Sequence, residues 1–189
     1  MSRNMMYELH TSFKTIMEML TDRGTDVSLL EGTDPDELER KMRGSPIFSV
    51  PVNESMHVIY YMHTKFKIND IRKSLVDDKL TIVVFKEKIN NLNKRNLREQ
   101  MPNIEIFNIK ELLFNVSHHS YVPKHEIVKD AEEIDGIMNT YNIRHRSMFP
   151  VIMRTDPMAR YLNLGQGDIV RIRRQSPTAG EAIVYRVCA

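Results

Sequence analysis

Apolar residues recur every three or four positions from Met5 to Leu20, at Met6, Leu9, Phe13, Ile16, Met17 and Leu20. That period predicts an amphipathic helix, stopped by Asp22-Arg23-Gly24. An acidic stretch follows. In it Asp34 is expected to cap a second helix, with Pro35 in the first helical position, Glu37 completing a capping box and Gly44 ending the helix. The pattern then changes to isoleucine, valine and aromatic runs bounded by polar residues. Met56 to His63 and Leu80 to Phe85 predict strands, around a helical piece near Asn69 to Val76. Lys86 to Gln100 is polar and basic and is assigned no element. Ile104, Ile106 and Ile109 predict a further short strand, ahead of an apolar run around Leu112 to Val116.

The character changes at Ser117-His118-His119-Ser120. After Pro123, the segment Asp130 to Tyr141 places Ile134, Ile137, Met138 and Tyr141 on one helical face. Thr155 or Asp156 caps a second helix with Pro157 just inside it. That helix ends in the turn Leu164-Gly165-Gln166-Gly167. Strands Asp168 to Arg174 and Glu181 to Val187 close the chain, joined by Ser176-Pro177-Thr178-Ala179-Gly180. The expected fold class is α+β. Residues 1–116 form an N-terminal α/β domain with a mixed sheet, and residues 117–189 a small C-terminal α+β domain with a short sheet and two helices.

Composition narrows the picture. Apolar residues make up 41% and charged residues 28% of the 189 residues, as in an ordinary globular protein rather than a disordered one. The net charge of +2 excludes a wholesale basic coat, so contact with phosphate needs a local patch. Acids and bases are equal in residues 1–116, and the small excess lies in the rest. The longest apolar run falls far short of the roughly 20 residues a membrane span needs, so no membrane partner is expected. The N-terminus MSRNMMYELHTSFK has no apolar core followed by small residues, and no signal peptide is expected. One cysteine, Cys188, rules out a disulfide within the chain and suits a reducing compartment. Asn53-Glu54-Ser55 and Asn115-Val116-Ser117 match the glycosylation pattern by chance in such a chain. The 13 methionines and the lack of tryptophan reflect adaptable contacts or a base-composition bias.

A search for catalytic groups finds none. Gly165-Gln166-Gly167 lacks the third glycine of a dinucleotide loop and lies between a helix and a strand, the reverse of such a site. His118, His119 and His125 have no cysteine nearby and no second ligand pair, so no metal site is assigned. For a restriction-type nuclease the nearest material is Asp77, Asp78 and Phe85-Lys86-Glu87-Lys88, without a Glu-x-Lys in the strand. Ser176 and Thr178 have no glycine-framed elbow. Two basic features remain. Lys86, Lys88, Lys94, Arg95 and Arg98, opposed only by Glu87 and accompanied by Asn90, Asn91, Asn93 and Asn96, are either a solvated face or a weak, sequence-independent phosphate contact. Arg171 and Arg173 share one face of a regular strand, with Ile172 opposite, as a solvated face or a surface for a partner's acids.

The C-terminal residues carry a resemblance. Thr155-Asp156-Pro157-Met158-Ala159-Arg160-Tyr161-Leu162, then Gly165-Gln166-Gly167-Asp168-Ile169-Val170-Arg171-Ile172-Arg173-Arg174, then Ser176-Pro177-Thr178-Ala179-Gly180 and Val184-Tyr185-Arg186 resemble the archaeal RNA polymerase subunit called H. Its eukaryotic counterpart is the fifth subunit shared by the nuclear polymerases. Val122-Pro123-Lys124-His125 is similar to the motif that opens that domain. Phe13 to Gly24, Ile104 to Asn108, and Asn115-Val116-Ser117-His118-His119 are similar to parts of the eukaryotic N-terminal jaw domain. The resemblance thus covers nearly the whole chain and favours the eukaryotic type, cellular or viral, with residues 25–100 the most diverged.

The resemblance implies a non-catalytic subunit. Its C-terminal domain docks on the largest polymerase subunit for assembly, and its jaw domain lies beside downstream DNA, which it touches weakly and without sequence preference. The active site, its magnesium and its zinc sites are implied in other subunits, with no cofactor or metal in this one. Asp156, Pro157, Arg160 and Tyr161 match a first assembly motif; Gly165, Gly167, Ser176, Thr178, Gly180, Tyr185 and Arg186 match a second. Partner contacts are expected at Asp156, Pro157, Arg160, Tyr161, Arg171, Ser176, Thr178, Gly180 and Arg186, and DNA proximity at Lys94, Arg95 and Arg98. Pro177 and Arg173 depart from the family, standing where an acid and an apolar residue are usual. The implied location is the nucleus if the chain is cellular, and a virion or cytoplasmic replication site if it is viral. The competing readings are a free-standing nucleic-acid-binding transcription regulator of the same fold and, behind it, a nuclease.

Overall fold

A computed structural model describes residues 3–75, 79–176 and 180–189. Asp77, Asp78, Pro177 and Thr178 lie outside the described residues. The chain forms two compact units, residues 1–114 and 115–189.

The first unit orders its elements as α1 (Arg3–Asp22), α2 (Ser28–Glu31), α3 (Pro35–Gly44), β1 (Ile47–Asn53), β2 (Met56–Tyr61), α4 (Ile68–Ser74), β3 (Leu80–Phe85), α5 (Asn91–Gln100) and β4 (Ile104–Asn108). The strands form one mixed sheet in the order β1-β2-β3-β4. A two-residue turn makes β1 and β2 antiparallel. β2, β3 and β4 are parallel, so each link needs a crossover, supplied by α4 and α5. Both faces of the sheet are covered, which is why β2 and β3 read as unbroken apolar runs rather than alternating ones. On one face Ile59, Tyr61, Val83, Phe85, Ile104 and Ile106 pack with Ile71 of α4 and Leu97 of α5. On the other, the Tyr60 ring stacks on Phe48 at 5.2 Å and its hydroxyl lies 3.4 Å from Ser12 Oγ of α1. Each such large apolar side chain, once fully buried, contributes about 1.5–3 kcal/mol.

Local features of this unit depart from the expectation: the short α2 was not expected, and Ile109, expected in the strand of Ile104 and Ile106, begins a 3-10 turn (Ile109–Leu112) capped by Asn108. Lys86 to Gln100 contains the helix α5, in which Asn90 accepts the Asn93 N–H at 2.8 Å as a cap and Leu97 reaches the core. One buried residue in ten is too sparse a stripe to show as periodicity. β1 was not expected either, because Pro51 interrupts it; as an edge strand with a register irregularity beyond Pro51, it accommodates the missing donor. Asp34 does cap α3, but through the Asp36 N–H at 3.1 Å, and Glu37 pairs with Lys41 instead of closing a capping box.

The second unit contains β5 (Lys124–Val128), α6 (Ala131–Thr140), β6 (Val151–Ile152), α7 (Pro157–Tyr161), β7 (Ile169–Ser176) and β8 (Gly180–Cys188). Its sheet runs β5-β7-β8-β6, with β5/β7 and β7/β8 antiparallel and the two-residue β6 parallel to β8. The two faces of this sheet feed separate cores. Val128, Ile169 and Val187 pack with Ile134 and Ile137 of α6. Val170, Ile172, Cys188 and Ile152 pack with Ala159 and Leu164 around α7. β5 and β6 were not expected, being five and two residues long. The unit begins at Asn115 because its side-chain amide donates to Tyr161 Oη at 3.0 Å.

Candidate docking and nucleic-acid surfaces

The residues of the first C-terminal motif build the start of α7. Asp156 Oδ1 accepts the Met158 and Ala159 N–H groups at 2.8 and 3.4 Å, and Pro157 takes the first helical position, where a missing N–H costs nothing. Tyr161 is buried, its hydroxyl within 3.4 Å of Ser117 Oγ as well as bonded to Asn115. Arg160 is half-buried on the same helix. These four are therefore adjacent, and three of them shape the local backbone and core.

The second motif builds the β7–β8 hairpin. Gly165 donates its N–H to Asp168 Oδ2 at 2.7 Å, so the turn closes on that carboxylate; a Cβ at Gly165 would stand 3.4 Å from the same oxygen. Gly167 (φ +87°) and Gly180 (φ +70°) adopt left-handed backbone that side chains resist. Ser176 ends β7 opposite Gly180 at the start of β8. Tyr185 packs edge-on against Tyr141 at 5.8 Å. Arg186 Nη1 donates to Val151 O at 3.2 Å, while its buried Nε has no partner among the described residues.

Arg171 and Arg173 do share a face, and the acids they meet belong to this chain. Arg171 pairs with Glu126 at 3.0 Å across β5/β7 and with Glu133 of α6 at 2.6 Å, and Arg173 reaches Glu126 at 3.3 Å. Lys124 adds a bond of 2.8 Å. The Lys124 bond, followed by those of Arg171 and Arg173, holds the Glu126 carboxyl down at about 2, against a partial loss of solvent that pushes it up. Sequence spacing supplied the shared face; β5, which carries Glu126, supplies the partner.

The histidines do not converge. His119 Nδ1 accepts the Tyr121 N–H at 3.3 Å, and His125 Nδ1 donates to Pro123 O at 2.6 Å. Burial lowers the His125 pKa against that bond. Among the described residues no three His, Cys, Asp or Glu side chains come together as metal ligands.

Lys94, Arg95 and Arg98 lie on α5, with Arg95 on the face opposite the buried Leu97 and Lys94, three residues before it, on the same side as that leucine. Arg95 pairs with Glu99 at 3.0 Å, so Glu87 is not the sole opposing acid of this stretch. Arg98 is exposed and Lys94 half-buried.

What sequence reading missed is the outer side of β8. Cys188 N–H bonds Asp168 O of β7, whereas Val187 N–H bonds Pro150 O beside β6. By alternation, the backbone groups of Glu181, Ile183 and Tyr185 face outward, and β6 pairs only with Val187 and Cys188. Beside this open edge Ile183 (41%), Val151 (45%) and Tyr141 (54%) are exposed, and Met148 and Met153 flank β6 with 58% and 61% exposure. The signal was present as apolar residues in polar surroundings, but without β6 they had no common location.

This arrangement, with one α/β unit and one small unit that leaves a sheet edge and an apolar strip uncovered, is that of a chain with a surface for another protein to cover. The family described as RNA polymerase Rpb5, C-terminal domain, matches residues 114–188. Over 93% of the chain and 94% of the relative, it is 31% identical to the DNA-directed RNA polymerases I, II, and III subunit rpabc1 of Dictyostelium discoideum. Subunit RPABC1 of Caenorhabditis briggsae and of Caenorhabditis elegans are each 29% identical over 96% of the chain and 95% of the relative. The chain belongs to this family of shared, non-catalytic RNA polymerase subunits.

Proposed function

We propose that this chain assembles into a DNA-directed RNA polymerase by docking its second unit on the largest subunit, while its first unit lies near downstream DNA. The observation that carries the docking reading is the outer side of β8. An unpaired strand edge and a run of exposed apolar residues are what a free protein avoids and a subunit has covered. Ile183, Tyr185 and Val187 lie along one face of β8; Val151 pairs with Val187 and Tyr141 packs on Tyr185. On the other face of β8, Arg186 carries a buried Nε with no acceptor among the described residues, and such a donor costs about 1–3 kcal/mol until one arrives. Arg160, Ser176, Gly180 and Arg186 are the contacts expected from the described residues, with Thr178 beyond them. The chain contributes no cofactor; the reaction and its metals reside in the large subunits, and a cellular host places it in the nucleus. Lys94, Arg95 and Arg98 give the first unit a weak, salt-dependent attraction to DNA.

Affinity purification of the tagged chain from native extract tests this. The two largest polymerase subunits are expected in near-equal amounts, and lost when Ile183 and Val151 are both changed to lysine. Recovery of the chain alone overturns the reading. It would favour a free-standing regulator if the isolated chain also bound DNA at physiological salt through Lys94, Arg95 and Arg98.

A further inference from the structure

A cavity of about 340 Å³ opens in the first unit at the carboxyl ends of the parallel strands β3 and β4. Four lysines line it from three separate segments. Lys86 and Lys88 come from the loop after β3, Lys94 from the start of α5, and Lys110 from the 3-10 turn after β4. Two glutamates share the lining, Glu87 and Glu111, so four positive charges face two negative ones. Glu111 is engaged, accepting the Asn108 N–H at 3.1 Å in a capping box.

Among the described residues, none of the four lysines is in an ion pair, although Lys86 and Lys94 are half-buried. The exposed Arg95 on the same helix does have a carboxylate, Glu99. Lys94 also stands near the wrong end of its helix. Cations are favoured at a C-terminus, and the first turn of α5 has no acid to offset the unfavourable dipole. Folding therefore gains nothing evident from collecting these lysines, while like charges around a concave wall raise the local potential for an anion.

We propose that this cavity binds a phosphate ester of mononucleotide size. Compact ammonium groups with three donors each suit the tetrahedral phosphate, while no arginine lines the cavity to fork onto a planar carboxylate. The volume is at the lower end of small-ligand pockets, which holds one nucleotide and excludes a duplex from the interior. The phosphate is that of a free nucleotide or of the terminal unit of a single strand. The site lies in the other unit from the β8 edge and is independent of the docking reading.

Titration of the full chain, followed by calorimetry and backbone amide shifts, tests it with AMP, inorganic phosphate, a 5′-phosphorylated oligothymidine, its unphosphorylated twin and a tetraglutamate peptide. Saturable one-to-one binding of AMP is expected, shifting amides of residues 85–94 and 106–111, with tetraglutamate inert. Binding of AMP but no gain from the phosphorylated oligomer assigns a free ester; tighter binding of the phosphorylated oligomer than of its twin assigns a strand end. Lys86→Gln and Lys94→Gln should each weaken AMP about tenfold, Lys94→Arg less so, and Arg98→Gln not at all. No saturable binding by any phosphate probe overturns the proposal. So does equal weakening by Arg98→Gln, which would mean diffuse surface attraction. Amide spectra of the variants report folding directly.

Discussion

β3 in the first unit and β8 in the second are both central strands of four-stranded sheets, yet their surroundings differ. Thr81 to Phe85 are buried without interruption, because α4 and α5 cover one face and α1 the other, and β2 and β4 satisfy both edges. In β8 only Val187 and Cys188 are buried; the outer edge is paired for two residues and the rest meets solvent. The first unit closes its sheet with its own helices, while the second leaves part of its sheet for something else to cover. The ion pairs differ in the same sense. Arg23 and Glu105 form a bidentate pair, both bonds 2.9 Å, sealed between the end of α1 and β4. Glu126 gathers Lys124, Arg171 and Arg173 at a partly solvated surface.

The largest effect that would sharpen this contrast is at Glu105. Glu105→Ala leaves the Arg23 guanidinium buried without its carboxylate and is expected to destabilise the first unit by about 3–5 kcal/mol, read by urea denaturation. A cost below about 1 kcal/mol would show this pair to be as expendable as a surface one.

Tyr161→Phe is next. It removes the acceptor of the Asn115 amide inside the second unit and should cost about 1–2 kcal/mol while leaving the first unit's transition unchanged.

Glu126 gives a pH test. Its folded pKa of about 2 lies below the ordinary 4.5, so its stabilisation is complete above about pH 5 and is lost as pH falls towards 2. Glu126→Gln should flatten that acid limb of the second unit's stability, measured by thermal melts between pH 2 and 6. An unchanged limb would mean the cluster is not held in solution.

The smallest expected change in stability is at Ile183. Ile183→Lys, on an exposed edge position, should stay within about 0.5 kcal/mol of the parent. Its effect belongs in the pull-down; a large loss of stability would instead mean that the strip is packed within the chain.

Much of the first unit was legible because its elements are marked locally. α1 carries a regular stripe, α3 begins at an Asp-Pro cap, as α7 does in the second unit, and β3 is an apolar run with polar ends. α5 was hidden because a single buried leucine anchors it, and β1 because proline argues against a strand until its edge position is known. The residues of the assembly motifs were legible as a set, but not which of them shape the chain and which remain available. Asp156 and Tyr161 are committed to a cap and a core, whereas the Arg186 Nε is buried without an acceptor among the described residues.

By itself the sequence determined where the capped helices α3 and α7 start, which strands carry an apolar face, and the family, since caps, periodicity and motifs act over a few residues. Only the tertiary structure decided that Arg23 meets a glutamate 82 positions away, that Arg171 finds its acids at home, that four lysines from three segments share one cavity, and that β8 keeps an open edge. Those facts depend on which strands lie side by side. Strand neighbours are chosen by the packing of the whole sheet, a long-range condition that no short stretch of residues encodes.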